Sequence, residues 1–128
     1  MNSDNLMAQN DKIHWEQLDG QPIAIFDNTF LIHYHLIDKF NAKNTRPKIF
    51  IKSPHWDYLL FSTKNTNLLA ILPSPVTAMV NVQNIVERRF HDPVPWLVAL
   101  YQPKKSRYSN LEKYVLKQIL DYFKRELL

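Results

Sequence analysis

Apolar residues along the chain fall into short unbroken runs, set apart by prolines and polar breaks, and into two longer stretches with helical spacing. Ile23-Ala-Ile-Phe26 lies between Pro22 and Asp27-Asn28-Thr29, which predicts a buried strand that stops at the cap of a following helix. From Phe30 to Lys43 apolar positions recur every three or four residues with Asp38, Lys39, Asn41 and Lys43 opposite them, as in an amphipathic helix that ends at Arg46-Pro47. Lys48-Ile-Phe-Ile-Lys-Ser53 predicts a second strand, rich in β-branched and aromatic residues, and Pro54 starts a short helix over Trp56 to Phe61. Leu68-Leu-Ala-Ile-Leu72, closed by Pro73 and Pro75, predicts a third buried strand, with a short helix over Val76 to Val80. Asn84 to Phe90 and Trp96 to Tyr101 predict a fourth and a fifth strand, and Lys104 to Tyr108 a loop. The last stretch opens with Ser109-Asn-Leu-Glu112, a pattern in which serine and glutamate satisfy each other's free backbone N–H groups at a helix start. Leu111, Val115, Leu116, Ile119, Leu120, Phe123 and Leu127 then share one face.

Strands alternating with helices imply parallel strands joined by helical crossovers, because a parallel pair cannot be closed by a tight hairpin. The expected fold is therefore α/β: a three-layer, Rossmann-like lobe with a mostly parallel, mixed five-stranded sheet flanked by helices. Three segments are expected: a polar leader over residues 1–18, the lobe over 19–108, and a C-terminal amphipathic helix over 109–128.

Composition narrows the function more than the fold. The 128 residues are 45% hydrophobic and 22% charged, as expected for one packed domain. Without cysteine there is no disulfide framework and no thiolate chemistry. The absence of a long apolar span or an apolar N-terminal segment gives the expectation of a cytoplasmic protein that does not engage a membrane. The formal charge of +4 is scattered over Arg46, Lys48, Lys52, Arg88, Arg89, Lys104, Lys105, Arg107 and the last helix rather than gathered in a stripe. No nucleic-acid-reading pattern accompanies it. A single glycine, Gly20, excludes glycine-rich phosphate loops and dinucleotide fingerprints.

Candidate chemistry is sparse. His33 and His35 stand two apart, whereas a metal-binding pair on a helix stands three or four apart, and His14, His55 and His91 lie on separate turns, so no metal site is expected. Neither Ser53 nor Ser74 sits in a nucleophile elbow. Asp27, at a strand end, has the position of a general base, but Asp-Asn-Thr there is read first as a cap of the next helix. Neither an enzyme nor a cofactor-dependent protein is expected.

The order of features resembles the second half of the effector-binding domain of LysR-type transcriptional regulators, which share the two-lobed fold of periplasmic binding proteins. The residues that carry the likeness are Leu6-Met-Ala8, Ile13, Trp15, Leu18 and Gly20-Gln-Pro-Ile23 at the entry to the lobe; Phe40-Asn-Ala-Lys-Asn-Thr-Arg-Pro47 between helix and strand; Leu69-Ala-Ile-Leu-Pro73; and Phe90-His-Asp-Pro93 followed by Trp96 and a last helix. Two departures stand out. Thr66-Asn67-Leu68 replaces the family's Gly-x-Gly turn, and these 128 residues contain no helix-turn-helix and little of a first lobe, as in an excised or truncated piece.

The resemblance implies a small-molecule effector site, with contacts from Phe26, Asp27, Asn28, Thr29 and Phe30, from Ser53, Pro54 and His55, and from Pro73. It implies a homodimer in which Phe30, Leu31, Tyr34 and Lys39 face a partner, and DNA binding only through a segment outside these residues. The effector is expected to be anionic if the chain's positive charge guides it. The last helix is expected to fold back on the lobe or to be shared between copies. A solute-binding protein of the same fold, or a stand-alone interaction module, is the alternative.

Overall fold

The computed structural model describes residues 1–97, 99–104 and 107–127. Val98 in the expected fifth strand, Lys105 and Ser106 in the expected loop, and Leu128 at the chain end lie outside the described residues. The chain divides into two compact units, Met1–Leu97 and Val98–Leu128.

The first unit contains five strands, β1 (Lys12–Ile13), β2 (Pro22–Phe26), β3 (Lys48–Ser53), β4 (Leu69–Ala70) and β5 (Arg89–Phe90), with helices α1 (Leu31–Ala42), α2 (Trp56–Phe61) and α3 (Ser74–Ala78). The expected α/β architecture of parallel strands flanked by helices is present. The five strands are shared between two sheets, β3-β2-β4 and β1-β5, and every ladder within them is parallel. The antiparallel element is an isolated bridge between Asn2 and Ile85.

β2 is the central strand because it is apolar on both faces. Ile23 and Ile25 point to one side, with Leu36 and Phe40 of α1 and with Ile13, Trp15, Leu18 and Leu69. Ala24 and Phe26 point to the other, where Leu59 of α2 packs. Within the first eighteen residues, expected as a polar leader or crossover segment, Ile13, Trp15 and Leu18 join this core. Two 3-10 turns, Leu6–Gln9 and Trp15–Leu18, hold Trp15 and Leu18 inside, and the polar residues between them face outward. Trp15 stacks on Phe90 with ring centroids 3.9 Å apart and donates its indole N–H to the Asp92 carbonyl at 2.7 Å.

β3 carries an irregularity. Ile23 of β2 pairs with Ile49 but Ala24 pairs with Ile51, so Phe50 is a surplus residue, a β-bulge on an edge strand. The bulge explains how Ile49 joins the α1 side of the core and Ile51 the α2 side, while the Phe50 ring stays 69% exposed between Lys48 and Lys52.

With one glycine available, left-handed turns fall mostly to asparagine. Gly20 has φ 68°, and Asn44, Asn65 and Asn84 have φ of 51°, 56° and 65°. Asparagine tolerates this region better than other residues with a Cβ. Asn65 accounts for the turn at Thr66-Asn67-Leu68: it takes the left-handed position, and the Thr66 hydroxyl donates to the Ser62 carbonyl at 2.7 Å while accepting from Leu68 N–H at 3.2 Å.

The strand expected over Asn84 to Phe90 is reduced to β5, and no strand forms at Trp96 to Tyr101 among the described residues. Pro93, Pro95 and Pro103 remove ladder donors around that run, and Leu97 and Tyr101 are exposed. In the second unit α4 (Asn110–Leu127) begins as expected: Glu112 N–H donates to Ser109 Oγ at 3.2 Å, and Ser109 N–H donates to the Glu112 carboxylate at 2.8 Å.

Candidate effector site at the strand ends

Parallel strands end on the same edge of their sheet, so the turns after β2, β3 and β4 open on one side of the lobe. The first two are joined directly. Asp27 N–H donates to the Ser53 carbonyl at 3.2 Å, extending the β2-β3 ladder by one bond into the turns. Ser53 is buried, and its Oγ accepts from His55 N–H at 3.1 Å, which fixes the path through exposed Pro54 into α2, whose N-cap is His55. Pro73 follows β4 by three residues and turns the chain into α3, its carbonyl accepting from Val76 N–H at 3.0 Å.

The turn after β2 is organised by its own side chains. Phe30 N–H donates to the Asp27 carbonyl at 3.2 Å, which closes a four-residue turn before α1 starts. The Asp27 carboxylate accepts from Thr29 N–H at 3.0 Å and from the Thr29 hydroxyl. Asp27 therefore closes an Asx-type turn rather than capping α1, which corrects the expected cap. The helix starts later than the Asp-Asn-Thr sequence suggests, its N-cap is Phe30, and no side chain caps it. The two bonds from Thr29 hold the Asp27 carboxyl below its ordinary value of 3.8, with smaller contributions from His33 and His55.

Two residues of α1 anchor this turn from behind. His33, buried, donates from Nδ1 to the Phe26 carbonyl at 2.8 Å. Tyr34 donates its hydroxyl to the Asn28 carbonyl at 3.2 Å. His33 thus has a structural role, as the spacing of His33 and His35 suggested. Its part in shaping the turn was not visible in the sequence, where the signal is only a histidine seven residues beyond the last residue of a strand. The Phe26 and Phe30 rings lie 4.8 Å apart, and the outer one, Phe30, remains 41% exposed.

Of the residues expected at a dimer surface, Phe30, Leu31 and Tyr34 are exposed at the start of α1. Lys39 is engaged within its own lobe: its ammonium pairs with Asp92 at 2.5 Å and lies 5.9 Å from the centre of a Trp15 ring. That hydrogen bond is the main cause of the lowered Asp92 pKa. Among the described residues no group of three or more histidine or acidic side chains has the arrangement of a metal site, and no helix is long and apolar enough to cross a membrane.

Parallel strand ends along one edge, with turn backbone, hydroxyls and an aromatic ring around them, define the class: an α/β lobe with its loops gathered at the carboxyl ends of its strands. Residues 2–124 match the LysR substrate binding domain family, and the chain belongs to that family, the effector-binding part of LysR-type transcriptional regulators. No curated protein matches the chain.

Proposed function

We propose that the chain is the effector-sensing lobe of a LysR-type transcriptional regulator, which binds a small molecule at the β3-β2-β4 strand ends and carries out no chemistry on it. The observation behind this reading is the joining of two turns, Phe26 to Phe30 and Ser53 to His55, into one surface by the bond from Asp27 N–H to Ser53. Those residues, with Pro73, are the ligand contacts. The regulator works in the cytoplasm as a homodimer, with Phe30, Leu31 and Tyr34 facing the partner and Lys39 adding what its pairing with Asp92 leaves free. DNA is read by residues other than these 128. The effector acts by binding two arrangements of the oligomer with different affinity. Taken alone, the net charge of +4 points to an anion, but none of the chain's lysines and arginines falls within the three turns.

The test is a thermal-shift screen of the regulator containing this lobe against small acids, amines and sugars, repeated with Asp27→Asn and His55→Ala. A true effector at 100 times its Kd stabilises the protein by about 2.7 kcal/mol. Its shift should shrink in both variants; an undiminished shift in both would place the effector elsewhere.

A further inference from the structure

The one acidic group of the three turns is Asp27. Among residues 26–30, 53–55 and 73 the ionisable groups are Asp27 and His55, with no lysine or arginine. The nearest lysine in sequence, Lys52, is exposed one residue before Ser53 on the edge strand. The Asp27 carboxylate also takes the Thr29 amide, one of the N–H groups that an anionic ligand would use at this turn. A ligand carboxylate here meets like charge and finds that donor already engaged. A ligand cation meets a carboxylate whose position is set by two bonds from Thr29, in the same turn as Phe30, whose exposed ring lies tilted with its centroid 4.8 Å from that of Phe26. Cations gain from both kinds of neighbour, through charge-assisted hydrogen bonds and through the face of an aromatic ring.

We propose that Asp27 is the specificity-determining residue of this site and selects effectors carrying an ammonium or amidinium group on an apolar body, against carboxylates of similar shape. The proposal rests on the effector-site reading above and sharpens it, replacing the anion that the net charge of the chain suggests. Asp27 sets this preference at the turn itself, where two bonds from Thr29 hold its carboxylate.

The test uses the 128-residue chain with two probes of matched shape and opposite charge, benzylammonium and benzoate, followed by amide NMR titration. Benzylammonium should shift the amides of Asp27 to Phe30 and Ser53 to His55, with benzoate binding there about tenfold more weakly or not at all. Asp27→Asn keeps an oxygen that can accept from Thr29, so the turn should persist, as checked by an unchanged amide spectrum away from the site; the tenfold ratio should fall to about one. Benzoate binding as tightly as benzylammonium at these residues, or a ratio unchanged in Asp27→Asn, overturns the charge preference and leaves the effector site standing. If neither probe shifts these amides, or both shift amides elsewhere, the preference and the site fall together.

Discussion

α1 and α4 both have an apolar side, and they meet different fates. α1 is the less regular of the two in sequence, with Leu31 and Tyr34 on its outer surface, yet it buries His33, Leu36 and Phe40 against β2. α4 separates apolar from charged residues more cleanly, yet Leu111, Val115, Leu120 and Phe123 are 71%, 46%, 44% and 38% exposed. The difference lies in what adjoins each helix. α1 runs between two paired strands that are its neighbours in the chain, so its cover is local, whereas no strand occurs in the unit Val98–Leu128 among the described residues. Periodicity shows which face of a helix needs cover; the flanking elements decide whether the same unit supplies it.

The comparison breaks most easily in the core. Trp15→Ala should cost about 3–5 kcal/mol and Leu36→Ala about 2–5 kcal/mol in urea unfolding, since each leaves a cavity among packed neighbours. Leu120→Ala should cost less than about 1 kcal/mol, because much of that side chain already meets water. Equal losses for Leu36 and Leu120 would show that α4 is covered as fully as α1, and sedimentation of the wild-type chain would then reveal whether a second copy provides the cover. His33→Leu should cost about 1–3 kcal/mol by leaving the Phe26 carbonyl without its donor, and amide exchange should locate the loosening at the turn after β2. Ser109→Ala should remove about 1 kcal/mol from α4, seen as fraying of its first turn by amide exchange. The smallest effect is that of pH. Because the folded pKa values of Asp27 and Asp92 lie below 3.8, their stabilisation is fully present above that value and is lost as pH falls through the folded values. Carboxyl NMR titration should find both midpoints below 3.8, and a midpoint at or above it for Asp92 would mean that the Lys39 pair does not persist in solution.

What the sequence made legible were elements with hard punctuation. β3 begins after Pro47 and ends before Pro54, and α4 starts at its reciprocal Ser109 and Glu112 cap. The strand-end turns were legible for the same reason, being marked by Asp27-Asn28-Thr29 and by Ser53-Pro54. The N-terminal core segment was not, because its buried residues, Ala8, Trp15 and Leu18 on 3-10 turns and Ile13 on the two-residue β1, follow neither a helical nor a strand period. The run Trp96 to Tyr101 had the composition of a strand, but a strand also needs a neighbour with free donors, and composition does not report one. Lys39 reads as a surface residue of a helix, and only the return of the chain at Asp92, fifty-three residues later, shows what it binds.

The surplus residue in β3 bears on how the lobe behaves in a crowd. An open edge of a parallel sheet is a template on which an identical chain can grow a strand, the first step towards fibrils. An incoming strand that matches the rhythm of Lys48 and Ile49 falls out of step at Ile51, and it meets Lys48 and Lys52 on either side of the kink. Phe50 thus works as a deliberate misprint in the edge: it leaves the fold intact and denies a copying chain a consistent register.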